Sequence, residues 1–164
     1  MSQDRPFPLS MLSLVLVFNV FYSLFSTTLS EPAPNIRYET TTGASSHLYT
    51  HKGQVVYVSI WASWCKPCLE NYKKYESVRA QLEKEGVVLL NVSIDRNPDL
   101  WRAAVEKHDY INGTNVLATD ISRTMKDYRI SKVPDYHIID KSGHFVYLSD
   151  NAGRDIIEEF RAWL

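Results

Sequence analysis

Val55-Val56-Tyr57-Val58-Ser59-Ile60-Trp61-Ala62-Ser63-Trp64-Cys65-Lys66-Pro67-Cys68 decides how this chain is read. Val55 to Ile60 is rich in β-branched side chains and predicts a buried strand. Beyond it, from Cys68 to Glu85, apolar residues recur at helical intervals (Tyr72, Tyr75, Val78, Leu82) and the pattern stops at Gly86, a natural C-terminal cap. The C-x-x-C segment therefore bridges a strand end and a helix start. At that place the first helical amides lack internal partners and the helix dipole favours negative charge, so a sulfur at Cys65 is stabilised as thiolate. Cys65 is the expected nucleophile. Pro67 sacrifices no helical hydrogen bond in the first turn, and Cys68 lies about one turn on with its sulfur on the same side, as the expected resolving thiol. Lys66 adds a positive charge that is expected to lower the nucleophile's pKa and make the couple more oxidising.

These are the only cysteines in the chain. A zinc site needs two further ligands, and none of His47, His51, His108, His137 and His144 falls into a metal-binding spacing with them. A purely structural disulfide across so short a loop removes little unfolded-state entropy and stabilises weakly. The histidines read as solvated loop or strand positions, and the acidic residues as solubilising charges on helix faces. There is no glycine-rich phosphate loop, basic nucleic-acid stripe or Ser-His-Asp arrangement. The formal net charge of -1 points to no polyanionic partner, nucleic acid included. No metal or other cofactor is expected.

The amino-terminal residues speak to compartment. Pro6 to Ser30 carries no charge, and Leu9 to Phe25 is dominated by Leu, Val, Phe and Met. Residues 1–30 read as a signal peptide or membrane anchor, with residues 9–25 as the possible tether and a thin positive flank resting on Arg5. Residues 31–35, Glu31-Pro32-Ala33-Pro34-Asn35, read as a proline-rich spacer detaching that segment from the fold. Residues 36–164 then make one domain, long enough for a single hydrophobic core. The expected compartment is the periplasm or cell envelope.

Within that domain the pattern predicts a strand from Ile36 to Thr42 turning at Gly43, and a helical turn from Ser46 to His51. It predicts a strand from Val87 to Ile94, a helix from Pro98 to His108 opened by Asn97, a short strand from Val116 to Ala118, and a helix from Ile121 to Tyr128 capped by Asp120. A hairpin from Tyr136–Ile139 to Phe145–Leu148 and a closing amphipathic helix from Arg154 to Leu164 complete the chain. That order predicts an α/β fold with a mixed central sheet flanked by helices on both faces.

Trp61 to Cys68, the preceding Gly-Gln-Val-Val-Tyr-Val strand, Gly86-Val87-Val88 and Val92-Ser93-Ile94-Asp95 together resemble the thioredoxin superfamily, and within it the exported TlpA/ResA-like branch of thiol-disulfide oxidoreductases. Val133-Pro134-Asp135 stands where that family has its cis-proline loop, and Ile138 to Gly143 resembles the strand and turn beyond it. The resemblance implies a thioredoxin-like fold, a redox cycle on Cys65 and Cys68, and a cis Pro134 facing the C-x-x-C turn. It also implies that the Val133 backbone is free to pair with a substrate strand; Trp61 and Trp64 read as core and rim packing around the motif, with Trp64 also a candidate for the substrate groove. As partners it implies disulfide-containing exported proteins, with cytochrome c haem-site cysteines as one client, and an integral membrane thiol donor.

Three positions depart from the family. Ser59 stands where thioredoxins carry a buried Asp as proton acceptor for the resolving thiol. Asn71 stands where many exported members carry a Glu, with Glu70 one residue earlier and so about 100° around the helix. Val133 and Asp135 flank the proline where Thr is frequent. The proton acceptor is thus unassigned. A disulfide oxidase or isomerase using the same cysteines, and a non-catalytic thioredoxin-fold binding module stapled by the disulfide, are the competing readings. A peroxidase is weaker, because a peroxidatic cysteine normally lacks a vicinal resolving partner.

Overall fold

Alternation of apolar side chains along the central strands sets the layering of this molecule. The computed structural model describes residues 31–147. Seven strands, β1 (Arg37–Thr40), β2 (Ser45–His47), β3 (Val56–Trp61), β4 (Val88–Ser93), β5 (Thr114–Ala118), β6 (Asp135–Ile139) and β7 (Phe145–Tyr147), form one sheet in the order β2-β1-β5-β4-β3-β6-β7. Four helices, α1 (Lys66–Lys74), α2 (Glu76–Lys84), α3 (Pro98–Lys107) and α4 (Ile121–Asp127), connect them. The central β3 is parallel to β4 and antiparallel to β6, with Asp135 opposite Ile60, which makes the sheet mixed as expected.

All six residues of β3 are buried, so both of its faces must be covered. Val56, Val58 and Ile60 join Leu90, Val92 and Ile139 in a cluster with Trp101 of α3 and Tyr128 at the end of α4. Tyr57 points the other way, with Leu89, Tyr136 and Ile138, against Val78 and Leu82 of α2. Each large side chain so buried contributes about 1.5–3 kcal/mol relative to exposure. Asn97 and Asp120 cap α3 and α4 through bonds to the amides of Asp99 and Arg123, as the sequence predicts.

The expected single helix from Cys68 to Glu85 is two. It begins at Lys66, because Cys65 itself is the cap, and it breaks at Tyr75, whose φ of -104° and ψ of 14° leave the helical range while serving both halves. Of the helical turn expected from Ser46 to His51, Ser46 and His47 instead pair with β1 as part of β2, and only Leu48–His51 forms a 3-10 turn. The cross-strand ladder outweighs a weak local preference there.

Residues 31–35 are not a detached spacer. The Phe145 amide donates to the Glu31 carbonyl at 2.9 Å, the Ala33 amide to the Gly143 carbonyl at 3.0 Å, and the Tyr128 hydroxyl to the Pro34 carbonyl at 2.7 Å. Ala33 is fully buried. An extended segment beside the open backbone of the β6–β7 hairpin satisfies groups that its own prolines cannot pair internally. The terminal segment 1–30, Leu148 and the expected helix Arg154–Leu164 lie outside the described residues.

Two glycines test how tightly the sheet is packed. At Gly113 (φ +101°) an added Cβ would lie 2.7 Å from both the Cβ and the carbonyl oxygen of Leu89, whereas at Gly43 (φ +84°) nothing lies within 4 Å. Gly113→Ala should therefore cost about 3 kcal/mol or more through strain plus overpacking, and Gly43→Ala about 1–2 kcal/mol through backbone strain alone. Urea midpoints at unchanged slope measure both; equal losses would contradict the packing at Gly113.

Asp140 closes the β6–β7 turn by accepting from the Ser142 amide and hydroxyl and from the His144 amide at 2.7–2.9 Å. Burial alone would raise its pKa, but these bonds together hold the carboxyl below its ordinary range. A depressed folded-state pKa adds stability above the unfolded value that is lost as pH falls through the folded one. Asp140→Ala should thus cost about 1 kcal/mol at neutral pH and progressively less in acid. A cost independent of pH would contradict the assignment.

Candidate active site

The buried run of β3 ends at Trp61 and the chain turns into α1 through Cys65. Cys65 is the N-cap residue, with φ -85° and ψ 90°; its Sγ accepts from the Cys68 amide at 3.2 Å and its carbonyl from the Cys68 and Leu69 amides. The Cys68 amide is thus shared between the Cys65 carbonyl, at 3.0 Å, and the sulfur, and a first-turn donor so placed favours negative charge there. Cys65 and Cys68 form a disulfide, with S–S 2.00 Å and Cα–Cα 5.3 Å. Cys65 keeps 3% of its surface and Cys68 1%, whereas Trp64 just before them is 67% exposed. Both cysteines are buried, and the exposed indole of Trp64 adjoins Cys65 in the chain. Pro67 sits in the first turn of α1. Lys66 extends into solvent, its Nζ 3.7 Å from Glu70 Oε1 with both side chains largely exposed. Such an exposed pair is worth little.

Antiparallel pairing with β3 carries β6 back toward the same turn. The Val133–Pro134 bond immediately before β6 is cis, and the register that sets Asp135 opposite Ile60 leaves Pro134 at the end of the sheet where α1 begins. Among the described residues the Val133 backbone makes no hydrogen bond. Val133 and Trp64, about 70 residues apart in the chain, line one depression of ≈ 390 Å³. The structure therefore brings together the cysteines, the proline loop and the exposed tryptophan singled out from the sequence.

What holds the turn in place was not legible in the sequence. Asp95, buried just after β4, accepts from the Ser63 amide at 2.8 Å, the Ser63 hydroxyl at 2.7 Å and the Ser93 hydroxyl at 2.7 Å. This carboxylate ties the residue two before Cys65 to the neighbouring strand. In the sequence Asp95 is one more acid after an apolar run, and only the parallel β3–β4 register sets it beside Ser63.

Beneath α1 a row of polar side chains crosses the sheet. Tyr136, Ser59, Asn91 and Asn115 are successive register partners on β6, β3, β4 and β5. Ser59 shares a buried 2.9 Å hydrogen bond with the Tyr72 hydroxyl, and Asn71 donates to the Tyr136 hydroxyl at 2.8 Å. So at the two positions where the resemblance implies a carboxylate, the side chains engage in neutral hydrogen bonds. Fully buried Arg79 donates to Asn91 Oδ1 at 2.6 Å and to Asn112, while its guanidinium lies 4.7 Å from the centroid of the Tyr72 ring and 5.6 Å from that of Tyr57. Amide oxygens and ring faces thus solvate a cation in the interior. The visible signal was Asn91 inside an otherwise apolar strand.

One histidine corrects the sequence reading. His137 is not solvated: it is fully buried on β6, edge-on to Tyr128, with Nε2 2.9 Å from Asp135 Oδ1 at an angle outside that of a hydrogen bond. Its alternation with Tyr136 and Ile138 puts it on the α4 side of the sheet, away from α1.

Comparison with known proteins agrees with this geometry. The AhpC/TSA family matches residues 29–163. Thioredoxin-like protein YneN of Bacillus subtilis (strain 168) is 29% identical over 115 residues, covering 69% of this chain and 66% of its own length. Thiol-disulfide oxidoreductase ResA of the same organism is 27% identical over 130 residues, covering 77% and 70%. The chain thus spans about two thirds of the length of these relatives. Among solved structures, a thiol:disulfide interchange protein from Bacteroides sp. superposes with a TM-score of 0.72 at 23% identity, covering 82% of this chain and 88% of that one. The thioredoxin domain of a thiol-disulfide oxidoreductase from Bacteroides vulgatus gives 0.68 at 24% identity, covering 82% and 99%. The chain belongs to the AhpC/TSA family, with a thioredoxin-like fold and the vicinal cysteine pair of a thiol-disulfide oxidoreductase.

Proposed function

We propose that this protein is a protein-disulfide reductase of the cell envelope, acting on exported proteins through Cys65 and Cys68. The observation that carries the reading is the Cys65–Cys68 disulfide capping α1, with the Cys68 amide on the Cys65 sulfur and the cis Val133–Pro134 bond at the same end of the sheet. In the reduced protein the Cys65 thiolate attacks one sulfur of a client disulfide, forming a mixed disulfide and expelling the other client sulfur as thiolate. Cys68, losing its proton, then attacks Cys65 Sγ, expels the second client thiolate and restores the Cys65–Cys68 disulfide. Two electrons pass to the client, and the disulfide ends on this protein.

Trp64, Val133 and Pro134 form the substrate-docking surface in this reading, with the unpaired Val133 backbone offering one strand-like hydrogen-bonding site. Pro67 tunes the couple through the geometry of the first turn, and Lys66 through weak long-range charge. Export through residues 1–30 places the protein where disulfides persist, and re-reduction then requires an integral membrane thiol donor. A tether through residues 9–25 raises the local concentration at that donor. Cytochrome c haem-site cysteines are the client class that the relatives' branch suggests.

Cys68→Ala should accumulate mixed disulfides through Cys65 when incubated reduced with an envelope extract, and Cys65→Ala should accumulate none. A stapled binding module predicts no adducts with either variant, and insulin reduction retained by Cys65→Ala would refute the assigned nucleophile. Direction of electron flow is read from the reduction potential. A reductase predicts a value near the roughly -270 mV of thioredoxin, while one near the roughly -120 mV of a strong periplasmic oxidant would reverse the proposal.

A further inference from the structure

The depression bordered by Trp64 and Val133 has a chemical character beyond general docking. Its apolar wall is made by Trp64, Ile94, Leu100, Ile121, Met125 and Val133, and Trp64 and Leu100 are 67% and 58% exposed. Two exposed cations, Arg96 and Lys132, stand in the same lining. Among the described residues neither is in an ion pair or a hydrogen bond. The polar side chains beside them are committed. Asp95 accepts from Ser63 and Ser93, and the Asn97 carboxamide caps α3. The depression runs on, through the shared residues Arg96, Ile121 and Met125, into a second of ≈ 560 Å³ that adds exposed Arg37, where Asp120 is engaged as the cap of α4.

A client disulfide must present its sulfur at Cys65, and the residues flanking that sulfur then lie along this surface. The wall rewards apolar and aromatic flanks, since exposed aromatic anchors gain most from desolvation at an interface. Among the described residues of the two linings, three cations, Arg37, Arg96 and Lys132, outnumber the two carboxylates, Asp95 and Asp120, each of which already accepts from neutral donors. We propose that the surface selects client segments in which apolar residues flank the cysteine and a carboxylate side chain follows them, with Arg96 and Lys132 as the specificity-determining residues and Arg37 extending the same field. The inference rests on the reductase reading above and deepens it: the clients are acidic, apolar, extended segments rather than disulfides at large. Each exposed charge contact is individually weak, so the preference is moderate and sensitive to salt.

The test uses the reduced full chain in single turnover with disulfide-linked homodimers of the peptide acetyl-Xaa-Phe-Leu-Cys-Leu-Phe-Xaa-amide, where Xaa is Glu, Gln or Lys. Released peptide thiol is followed by chromatography. At low ionic strength the Glu peptide should react about five- to twentyfold faster than the Lys peptide, with Gln between them. The ratio should fall toward one at about 0.5 M salt. The double variant Arg96→Glu with Lys132→Glu should invert the order, a result that misfolding cannot produce. Equal rates for all three peptides would overturn the charge preference and leave the reductase reading standing. Reaction with none of them would remove both. A Glu preference that survives the charge-reversed variant would overturn the assignment to Arg96 and Lys132.

Discussion

The site depends on one junction: the carboxyl end of β3, where a fully buried strand must become a helix within a few residues. Cys65 occupies the capping position of that helix, so the amide that a serine or aspartate would ordinarily satisfy is satisfied by sulfur. A cap must accept a hydrogen bond, and a sulfur accepts more strongly as thiolate than as thiol. The local demand of the helix and the chemical demand of disulfide exchange therefore favour the same state of the same atom.

Neighbouring strands hold this junction from both sides. The parallel partner β4 ends in Asp95, whose carboxylate fastens Ser63, and the antiparallel partner β6 begins after the cis Val133–Pro134 bond. A one-residue slip in either register would flip these groups to the other face of the sheet. The apolar clusters on both faces of β3 are thus also what positions the turn. Burial of Ala33 and pairing of residues 31–33 with the β6–β7 hairpin reinforce β6 from its far side.

The interior beneath α1 is polar, and its cation is compensated without a carboxylate at Ser59 or Asn71. Hydroxyl and amide groups do not take up a proton at neutral pH, so in the proposed cycle the proton of Cys68 leaves by a route other than these two positions. The row of Tyr136, Ser59, Asn91 and Asn115 specifies register as well, because each buried polar group is costly unless its partner is opposite.

Much was legible in the sequence because it is written in local periodicity. The β-branched run of β3, the strand-to-helix position of Cys65 and Cys68, the caps Asn97 and Asp120 and the mixed order of elements follow from spacing and side-chain chemistry within a few residues. Groups whose meaning depends on a distant neighbour were not legible. Asp95 became an anchor, Arg79 an interior cation, His137 a core residue and Glu31 to Asn35 part of the fold only when the strand register chose what lay beside them. Lys66, read from the sequence as a tuning charge, stands in solvent with its Nζ 3.7 Å from Glu70 Oε1, a neighbour one helical turn on that the sequence spacing alone allowed. By itself the sequence determined that a dithiol would sit at a helix start. Tertiary structure alone decided what faces it, because cross-strand contacts join residues tens of positions apart and no local pattern records them.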